Sequence, residues 1–470
     1  MDTTEAKHGP LTVNVMILEI NPGDTAWVLV SAALVLLMTP GLAFFYGGMV
    51  RAKGVLNMLM MSFISMGTVG VLWVLIGFSM SFGDSIGGVI GNPLQFAGLS
   101  TLMGEDAVAG SLPTLAFVAF QAAFAIIATA LISGAIADRA RFGGWTLFTI
   151  LWAILVYFPA AHWVFAFDGF VAPKGGWIAN TVQAIDFAGG TAIHINAGAA
   201  ALALAIVLGK RLDFGTKPMR PHSMPFVMLG AALLWFGWFG FNAGSALGAN
   251  TLAGLAWVNT LAAPAAAMLA WLVVEKLRDG HPTSLGAASG IVAGLVGITP
   301  AAGSVSPLGA LVIGVMVGVG CAYAVPLKVR FGYDDSLDVV GVHLVGGVIG
   351  TLAIGLLADP AASGTPDGVA GLFYGGGLEQ LGRQAIGAFS VLIYSFVISF
   401  ILGKLIDKTI GFRITKREEN DGIDRHEPSE NGYDLSPVYY SSLGGSASVR
   451  RTLYLEPDDL PEDLRKEVSA

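Results

Sequence analysis

The chain has 470 residues, of which 54% are hydrophobic and only 12% are charged, whereas roughly a quarter are charged in ordinary soluble domains. This composition excludes a soluble globular protein and indicates an integral membrane protein. The formal net charge of −8 comes largely from loops and the C-terminal end, nothing in it suggests nucleic-acid binding, and a single cysteine, Cys321, excludes an intrachain disulfide.

The N-terminal sequence MDTTEAKHGP lacks the basic region of a secretory signal peptide, so we expect the first apolar run to remain as a membrane span. A span needs about 20 apolar residues. Eleven candidate runs lie near residues 25–48, 55–82, 112–137, 142–166, 187–209, 224–245, 251–275, 284–300, 305–327, 337–358 and 383–410. The run at 284–300 is the shortest and ends at a proline.

The basic residues indicate the orientation, because Lys and Arg favour cytoplasmic loops. If the N-terminus lies outside, only Lys7, Lys174 and Arg383 of the 25 Lys and Arg residues fall on the outer side. A miscounted span would scramble this alternation. The sequence therefore predicts a multi-pass protein of the plasma membrane, with its N-terminus outside and its C-terminus in the cytoplasm.

Ten of the eleven predicted spans divide into two halves of five. An odd number of spans per half inverts the second half, and such repeats are common in transporters, with the substrate path between the halves. The last span of each half contains one histidine, His194 in the first half and His343 in the second, which supports the repeat. The alternative is that this match is a coincidence. The predicted fold class is an all-α integral membrane protein with two inverted five-helix repeats plus a final helix.

We expect three parts along the chain. Residues 1–22 form an extracytoplasmic N-terminal segment, residues 23–412 the eleven-helix membrane domain, and residues 413–470 a cytosolic C-terminal tail. Beyond Gly411 the sequence turns polar and then rich in Ser, Gly and acidic residues. This change predicts a tail that is partly ordered near the membrane and disordered beyond about residue 436.

Two histidines are the most informative residues in the spans, which contain essentially no Lys, Arg, Asp or Glu. Pathways for permanent ions and proton-coupled carriers usually have carboxylates or carbonyl rings. Here His194 and His343 lie in the small-residue runs GGTAIHINAG and VVGVHLVGG. A neutral imidazole offers one donor and one acceptor, so the pair could line a path for a small neutral polar molecule. The alternative is that each ring only joins neighbouring helices.

Asp186 opens the fifth predicted span, eight residues before His194. At 1.5 Å per residue this separation is about 12 Å along the helix. A carboxylate at a helix N-terminus accepts free backbone N–H groups, so we expect Asp186 to cap the helix. We also expect the negative charge of Asp186 to lower the electrostatic free energy of a cation that approaches the outer end of the path.

Aromatic residues gather near the predicted outer ends of two other spans. Phe120 and Phe124 are four residues apart and share one helix face. Trp238, Phe241 and Ser245, in WFGWFGFNAGS, are spaced by three and then four and also share a face. Aromatic faces attract cations, and a hydroxyl accepts hydrogen bonds from a cation's N–H groups. The alternative is an ordinary interfacial belt or core packing.

These segments together resemble a known family. Residues 186–211, DFAGGTAIHINAGAAALALAIVLGKR, are similar to the signature of the Amt/MEP/Rh ammonium transporter family. The resemblance continues through TPGLAFFYGG, VAFQAAF, WFGWFGFNAGS, GLVGITPAAG and DDSLDVVGVHLVGG and covers about residues 25–433. The presence of Trp238 and Ser245 together with two histidines makes the chain more similar to the Amt branch than to the Rh branch. The resemblance implies a homotrimer with one pore in each protomer.

The resemblance also implies roles for the aromatic residues. Phe120, Trp238 and Ser245 would form the external ammonium site. Phe124 and Phe241 would form a stacked gate below it. The path from the outside would thus pass an aromatic binding site and then an aromatic constriction.

Deeper in the path, the resemblance implies that His194 and His343 are the twin histidines of the pore. Asp186 would be the aspartate required for structure and recruitment. The chain departs from the family at the outer site, where Phe165 occupies a position that often holds Trp. Trp163 is two residues earlier, about 200° around a helix, so we do not expect it to substitute.

The predicted function follows from where charge is tolerated. Moving a bare cation into a low-dielectric core costs tens of kcal/mol in the idealised limit. Ammonium, unlike K⁺, can release a proton and cross as ammonia. We therefore predict that NH₄⁺ is recruited outside and deprotonated near the gate, and that NH₃ passes the histidines, with or without separate proton transfer. Methylammonium is the expected analogue.

Two alternatives belong to other classes. The first is a membrane ammonium sensor that signals through its tail, although no output domain follows residue 413. The second is a membrane enzyme with paired His as metal ligands, for which only His162 could add a third. We expect no enzymatic activity, cofactor or metal. The tail segment DGIDRHEPSENGYD is partly similar to the family's C-terminal region, which makes a PII-type regulatory protein an expected partner.

Overall fold

The computed structural model describes residues 19–217 and 219–433. Most of the predicted N-terminal segment lies outside the described residues. The same is true of the tail beyond residue 433, including the part for which disorder is predicted.

The described residues form a bundle of apolar helices. Ten of these helices are long and apolar enough to cross a membrane. They are α1 Pro22–Met49, α2 Ala52–Phe82, α3 Thr114–Ile136, α4 Phe142–Phe165, α5 Gly190–Leu208, α6 Met224–Gly244, α7 Thr251–Asp279, α9 Pro307–Phe331, α10 Val340–Leu357 and α11 Glu379–Thr409. The helix α8, Ser284–Ile298, has 15 residues. The prediction of a helical membrane protein is confirmed, while the count of eleven spans and the orientation remain predictions.

The helix α8 is the one that the sequence marks as shortest. Fifteen residues rise about 22 Å, less than the roughly 30 Å of a typical hydrocarbon core. Ten of the eleven predicted runs thus match long apolar helices in the described residues, and the eleventh matches this shorter helix.

The remaining elements are short and lie in the connections. Between α2 and α3, strand β1 Ser85–Ile86 pairs with β2 Ile90–Gly91, and β3 Val108–Ala109 pairs with β4 Leu112–Pro113, both antiparallel. Single helical turns occupy Ala97–Leu102, Ile178–Val182, Leu372–Tyr374 and Ile423–Arg425. A last short helix, α12, covers Lys416–Asp421.

Local sequence explains where several long helices begin. In four long helices and in the shorter α8, a side-chain oxygen at the residue before the helix accepts a backbone N–H of the first turn, as expected for Asn, Ser and Thr caps. These caps are Asn21, Ser223, Asn250, Thr283 and Ser306. In three cases a proline also occupies the first turn, where its missing N–H costs nothing.

The helices α5 and α10 share an unusual first turn. Residues Gly190–Ile195 and Val340–Leu344 are π-helical, and each turn contains one of the two membrane histidines. Such turns are rare and frequently occur at functional sites. π-helical turns also occur within α2 at Trp73–Gly77 and within α4 at Ala153–Tyr157, and the inverted repeat remains a prediction.

Small residues let α5 and α10 approach closely. A Cβ atom added at Gly198 would lie 2.5 Å from the backbone nitrogen of Leu344. That distance is far below ordinary van der Waals contact, and the obstacle is backbone. The glycine is therefore required for the packing that brings the two histidine-bearing helices together.

We expect Gly198→Ala to lower the free energy of unfolding by about 1–3 kcal/mol, the usual cost of overpacking a core. Thermal unfolding of the purified protein would measure the effect. Gly254→Ala in α7 is a matched control, because a Cβ atom there meets nothing within 4 Å. Equal stability of the two variants would contradict the close approach.

A buried ion pair lies at the end of the bundle where α5 ends and α10 begins. The guanidinium of Arg211, just after α5, donates to both carboxylate oxygens of Asp334, just before α10. Burial raises the pKa of Asp334, but the hydrogen bonds from Arg211 and the positive charges of Arg139 and Arg211 together lower the pKa below its ordinary value. The segments that follow α5 and precede α10 are thereby joined.

The C-terminal segment packs on the helices as far as it is described. Arg413 donates to the carbonyl oxygen of Leu208 at the end of α5, at 2.6 Å. The Asp424 carboxylate accepts the N–H of Asn57 in the first part of α2, at 2.8 Å. The residues up to Gly432 belong to the same compact unit as the helices, beyond the predicted domain boundary at 412.

Candidate functional site

A cavity of about 680 Å³ opens on the side of the bundle where α3 and α11 begin and α4 and α6 end. We call it the vestibule. Five residues that the sequence singles out line it: Phe120, Phe124, Phe165, Asp186 and Ser245. They come from α3, α4, α6 and the loop before α5, so the fold brings distant parts of the chain to one place.

The floor of the vestibule is closed by aromatic rings. Phe120 and Phe124 meet edge to face with ring centroids 4.7 Å apart. Phe124 and Phe241 have centroids 4.4 Å apart and are tilted by 45°, rather than stacked in parallel. All three side chains are buried. The three rings form a continuous aromatic layer at the bottom of the vestibule.

Ser245 follows the last residue of α6 and lies at the vestibule wall. Its hydroxyl donates to the carbonyl oxygen of Phe241, four residues earlier, at 2.8 Å. A hydroxyl has one hydrogen and two acceptor positions. Because the hydrogen is used within the helix, the oxygen remains able to accept a hydrogen bond from a donor in the vestibule.

Phe165 and Trp163 occupy different environments at the end of α4. Phe165 lines the vestibule. The indole N–H of Trp163 donates to the carbonyl oxygen of Val89 at 2.7 Å, and its ring packs on Trp177 and Tyr394. Phe165 thus provides the aromatic face at this position, as the 200° separation predicts.

Asp186 caps the π-helical start of α5. Its two carboxylate oxygens accept the backbone N–H groups of Gly189, Gly190, Thr191 and Ala192 at 2.7–3.1 Å. Burial raises the pKa of Asp186, and these four hydrogen bonds oppose that rise. The carboxylate therefore satisfies four N–H groups that the helix cannot satisfy itself.

Below the aromatic rings lies a second, much smaller cavity of about 10 Å³. It borders Phe45, Phe241, Trp238, His194 and His343, together with Met38 and aliphatic side chains. A cavity of this size is about the minimum for one water molecule. Among the residues that the structure describes, no Asp, Glu, Lys or Arg side chain borders it. The cavity has room for a molecule of water's size and no group to balance a charge.

Trp238 lies in a different place from the one expected. It borders the small cavity beside the histidines and not the vestibule with Phe120 and Ser245. Seven residues separate Trp238 from Ser245, which is about 10 Å along α6. A shared helix face therefore places the two residues at different depths. The indole N–H donates to the Thr299 hydroxyl at 2.8 Å, and the ring stacks on His194.

The two histidines contact each other directly. The Nδ1 atoms of His194 and His343 are 3.3 Å apart, and the rings are nearly parallel. Both side chains are buried. Within the described part of the chain, Nε2 of His194 has no hydrogen-bond partner. A buried polar atom beside a small cavity is available to a molecule that enters it.

One functional candidate escaped the sequence analysis. Asp335 lies eight residues before His343, the same spacing as Asp186 before His194. Its carboxylate accepts the N–H groups of Val339 and Val340, so it caps α10 as Asp186 caps α5. Burial raises the pKa of Asp335 to about 6. The repeated spacing from Asp to His was the signal that could have found it.

His162 lies in a different environment from His194 and His343. In residues 19–217 and 219–433, no group of three or more His, Cys, Asp and Glu could hold a metal ion. His162, the third ligand considered from the sequence, has both ring nitrogens engaged. They contact the Ser85 hydroxyl at 2.7 Å and the Ser81 carbonyl oxygen at 3.0 Å. Through these two contacts His162 connects α4 to the end of α2 and to the loop that follows α2.

Comparisons with known proteins agree on one family. The model of the Ammonium Transporter Family matches residues 26–433. An ammonium transporter of Mycobacterium tuberculosis is 62% identical over 446 residues, covering 91% of this chain and 93% of the relative. The crystal structure of Candida albicans Mep2 is similar with a TM-score of 0.80 and 31% identity, covering 90% of this chain and 95% of that one. A structure named Sensor Amt Protein has a TM-score of 0.79 and 29% identity over 86% of this chain and 97% of that one.

Proposed function

The chain belongs to the ammonium transporter family, and from this premise we propose how it moves its substrate. NH₄⁺ binds in the vestibule, loses a proton at the aromatic gate, and crosses the bundle as NH₃ beside His194 and His343. The proposal allows the proton to cross separately or to return outside.

The small cavity beside the histidines carries this proposal. About 10 Å³ admits one molecule of water's size, and ammonia is of that size. A cation there would lose its hydration shell and find no carboxylate, at a cost of many kcal/mol. Ammonia avoids that cost, and an imidazole nitrogen can accept its N–H or donate to its lone pair. K⁺ has no neutral form and is excluded.

Recruitment uses the floor of the vestibule. Phe120 and Phe165 offer ring faces, each of which attracts a cation by about 0.5–2 kcal/mol. The Ser245 oxygen offers an acceptor to an N–H of ammonium. The capping carboxylate of Asp186 offsets the positive end of α5, which would otherwise repel the cation. Trp238 acts one step later, as a flat surface against which His194 is held.

Replacing the hydroxyl tests recruitment. We expect Ser245→Leu to raise the external concentration needed for half-maximal uptake at least about ten-fold, because the variant loses one hydrogen bond to a charged donor. Labelled methylammonium uptake over a range of concentrations measures this. Ser100→Leu is the matched control, since Ser100 is exposed and does not line the vestibule. Unchanged uptake by Ser245→Leu at low concentration would contradict the outer site.

Uptake of labelled methylammonium by liposomes that contain the purified protein tests the function as a whole. Uptake with and without an imposed voltage separates the two forms of the proposal. A rate that follows the voltage indicates that the proton also crosses. A rate independent of voltage indicates net movement of the neutral species. Absence of uptake above protein-free liposomes would refute transport.

A second candidate function is a membrane ammonium sensor that signals through the C-terminal tail. The likeness to the structure named Sensor Amt Protein is the observation that favours it. A sensor without transport would bind methylammonium but give no uptake in the liposome assay. The 62% identity to a relative named ammonium transporter makes transport our first proposal.

We further propose a homotrimer in the plasma membrane with one pathway in each protomer. Its N-termini lie outside and its tails in the cytoplasm, where a PII-type regulatory protein could bind. The mass of the purified protein by light scattering tests the trimer. Protease treatment of intact cells tests the side on which the tail lies.

A further inference from the structure

The vestibule is far larger than ammonium requires. Its volume is about 680 Å³, whereas one water-sized molecule takes about 30 Å³. The recruitment site proposed above uses only its floor, at Phe120 and Ser245. The remaining space is sufficient for a small organic molecule.

Aromatic rings make up much of the wall above the floor. In addition to the recruitment residues, Phe117, Phe167, Phe170 and Phe187 line the vestibule. Phe167 is the most open of these, with 55% of its surface exposed. Ring faces attract cations, and cages of such rings are the usual way in which proteins bind quaternary ammonium groups.

The charges at the vestibule favour cations. Among its described lining residues, three carboxylates, those of Asp186, Asp367 and Glu379, face one positive side chain, Arg383. Arg383 donates to Glu379 at 2.5 Å and to the side-chain oxygen of Gln183 at 2.9 Å, so Arg383 and Glu379 offset each other and the net negative charge of the lining is that of Asp186 and Asp367. An excess of carboxylates in a concave site raises the local concentration of cations.

We propose that the vestibule binds quaternary ammonium compounds of about choline's size, which block uptake. The inference rests on the proposed function, because blockage is defined by loss of transport. A quaternary nitrogen has no N–H to donate to Ser245, so it is held by cation–π contacts with the ring faces and by attraction to the carboxylates. It also has no proton to release, so the neutral path is closed to it. The ring contact of 4.4 Å between Phe124 and Phe241 stops it at the floor.

The probe is choline chloride, added on both sides of liposomes that contain the protein, so that the orientation of the protein does not matter. We expect choline to inhibit methylammonium uptake competitively, with inhibition overcome by more methylammonium. The neutral isostere 3,3-dimethyl-1-butanol, in which carbon replaces the nitrogen, should not inhibit, and neither should sodium chloride at equal concentration. The charge is the only difference that matters between choline and the alcohol.

A matched pair of variants locates the site. We expect Phe167→Leu to raise the choline concentration for half-inhibition about two- to five-fold, as for loss of one exposed cation–π contact. Phe373→Leu should leave it unchanged, because Phe373 is 70% exposed but does not line the vestibule. Neither variant should change uptake without choline, since neither ring belongs to the proposed ammonium site.

The outcomes separate this inference from the function it rests on. Normal uptake that choline does not inhibit would overturn the inference and leave transport intact. Equal inhibition by the neutral alcohol, or equal choline sensitivity of the two variants, would overturn it as well. Absence of uptake without any choline would overturn both the transport proposal and the inference.

Discussion

We expect His194→Asp to admit K⁺, which the proposed mechanism excludes from the native protein. The change puts a carboxylate beside the small cavity, and two unit charges about 4 Å apart attract by about 4 kcal/mol at an effective dielectric constant of 20. That attraction lowers the free energy of a cation in the cavity by several kcal/mol relative to the native protein. K⁺ uptake into liposomes should rise at least about ten-fold, since 1.4 kcal/mol is a factor of ten.

His194→Asn is the matched control for this experiment. Asn is similar to Asp in size and polarity but carries no charge, so it should not admit K⁺. Radioactive rubidium uptake and electrical current across a planar bilayer both report the difference. If His194→Asp kept ammonium uptake and still rejected K⁺, conduction of a neutral species would be the wrong mechanism.

The second large effect is expected at Asp186. Asp186→Ala would leave four backbone N–H groups at the start of α5 without their acceptor. Each such loss costs about 1–3 kcal/mol where water cannot replace the acceptor. We expect the free energy of unfolding to fall by at least about 3 kcal/mol and uptake to be lost, because the same turn carries His194.

Thermal unfolding and methylammonium uptake of the purified variants measure both effects. Asp186→Asn should be intermediate, since its single carbonyl oxygen can still accept the bonds from Gly189 and Gly190. Asp106→Ala is a control, because Asp106 is exposed. A stable, active Asp186→Ala protein would show that the cap is dispensable.

Much of the fold could be predicted because membrane spans depend on length and composition. Ten predicted runs correspond to long apolar helices, and the doubtful run at 284–300 corresponds to the shortest, α8. The tiny strands after α2 could not be predicted, since two-residue pairs have no detectable alternation. The π-helical turns at the histidines were also beyond prediction, because an apolar run does not distinguish a π-helical from an α-helical turn.

The sequence names several of the residues that line the vestibule and the small cavity, but it does not give the depth at which each residue lies in the bundle. Spacing on a helix gives the shared face of Trp238 and Ser245, but it does not say that Trp238 lies about two turns deeper, beside His194. The capping role of Asp186 follows from its position alone, and the structure has it in that role. Asp335 could have been found from the same spacing to His343.

The short distance between the two imidazoles has a consequence for the direction of hydrogen bonding. The Nδ1 atoms, 3.3 Å apart, can share only one hydrogen when both rings are neutral. The ring that donates its Nδ1 hydrogen has no hydrogen on Nε2, whereas the other ring accepts at Nδ1 and carries its hydrogen on Nε2. The pair therefore always offers one acceptor and one donor, and exchanging the tautomers reverses which ring plays which part. The two side chains behave as one polar unit with two orientations.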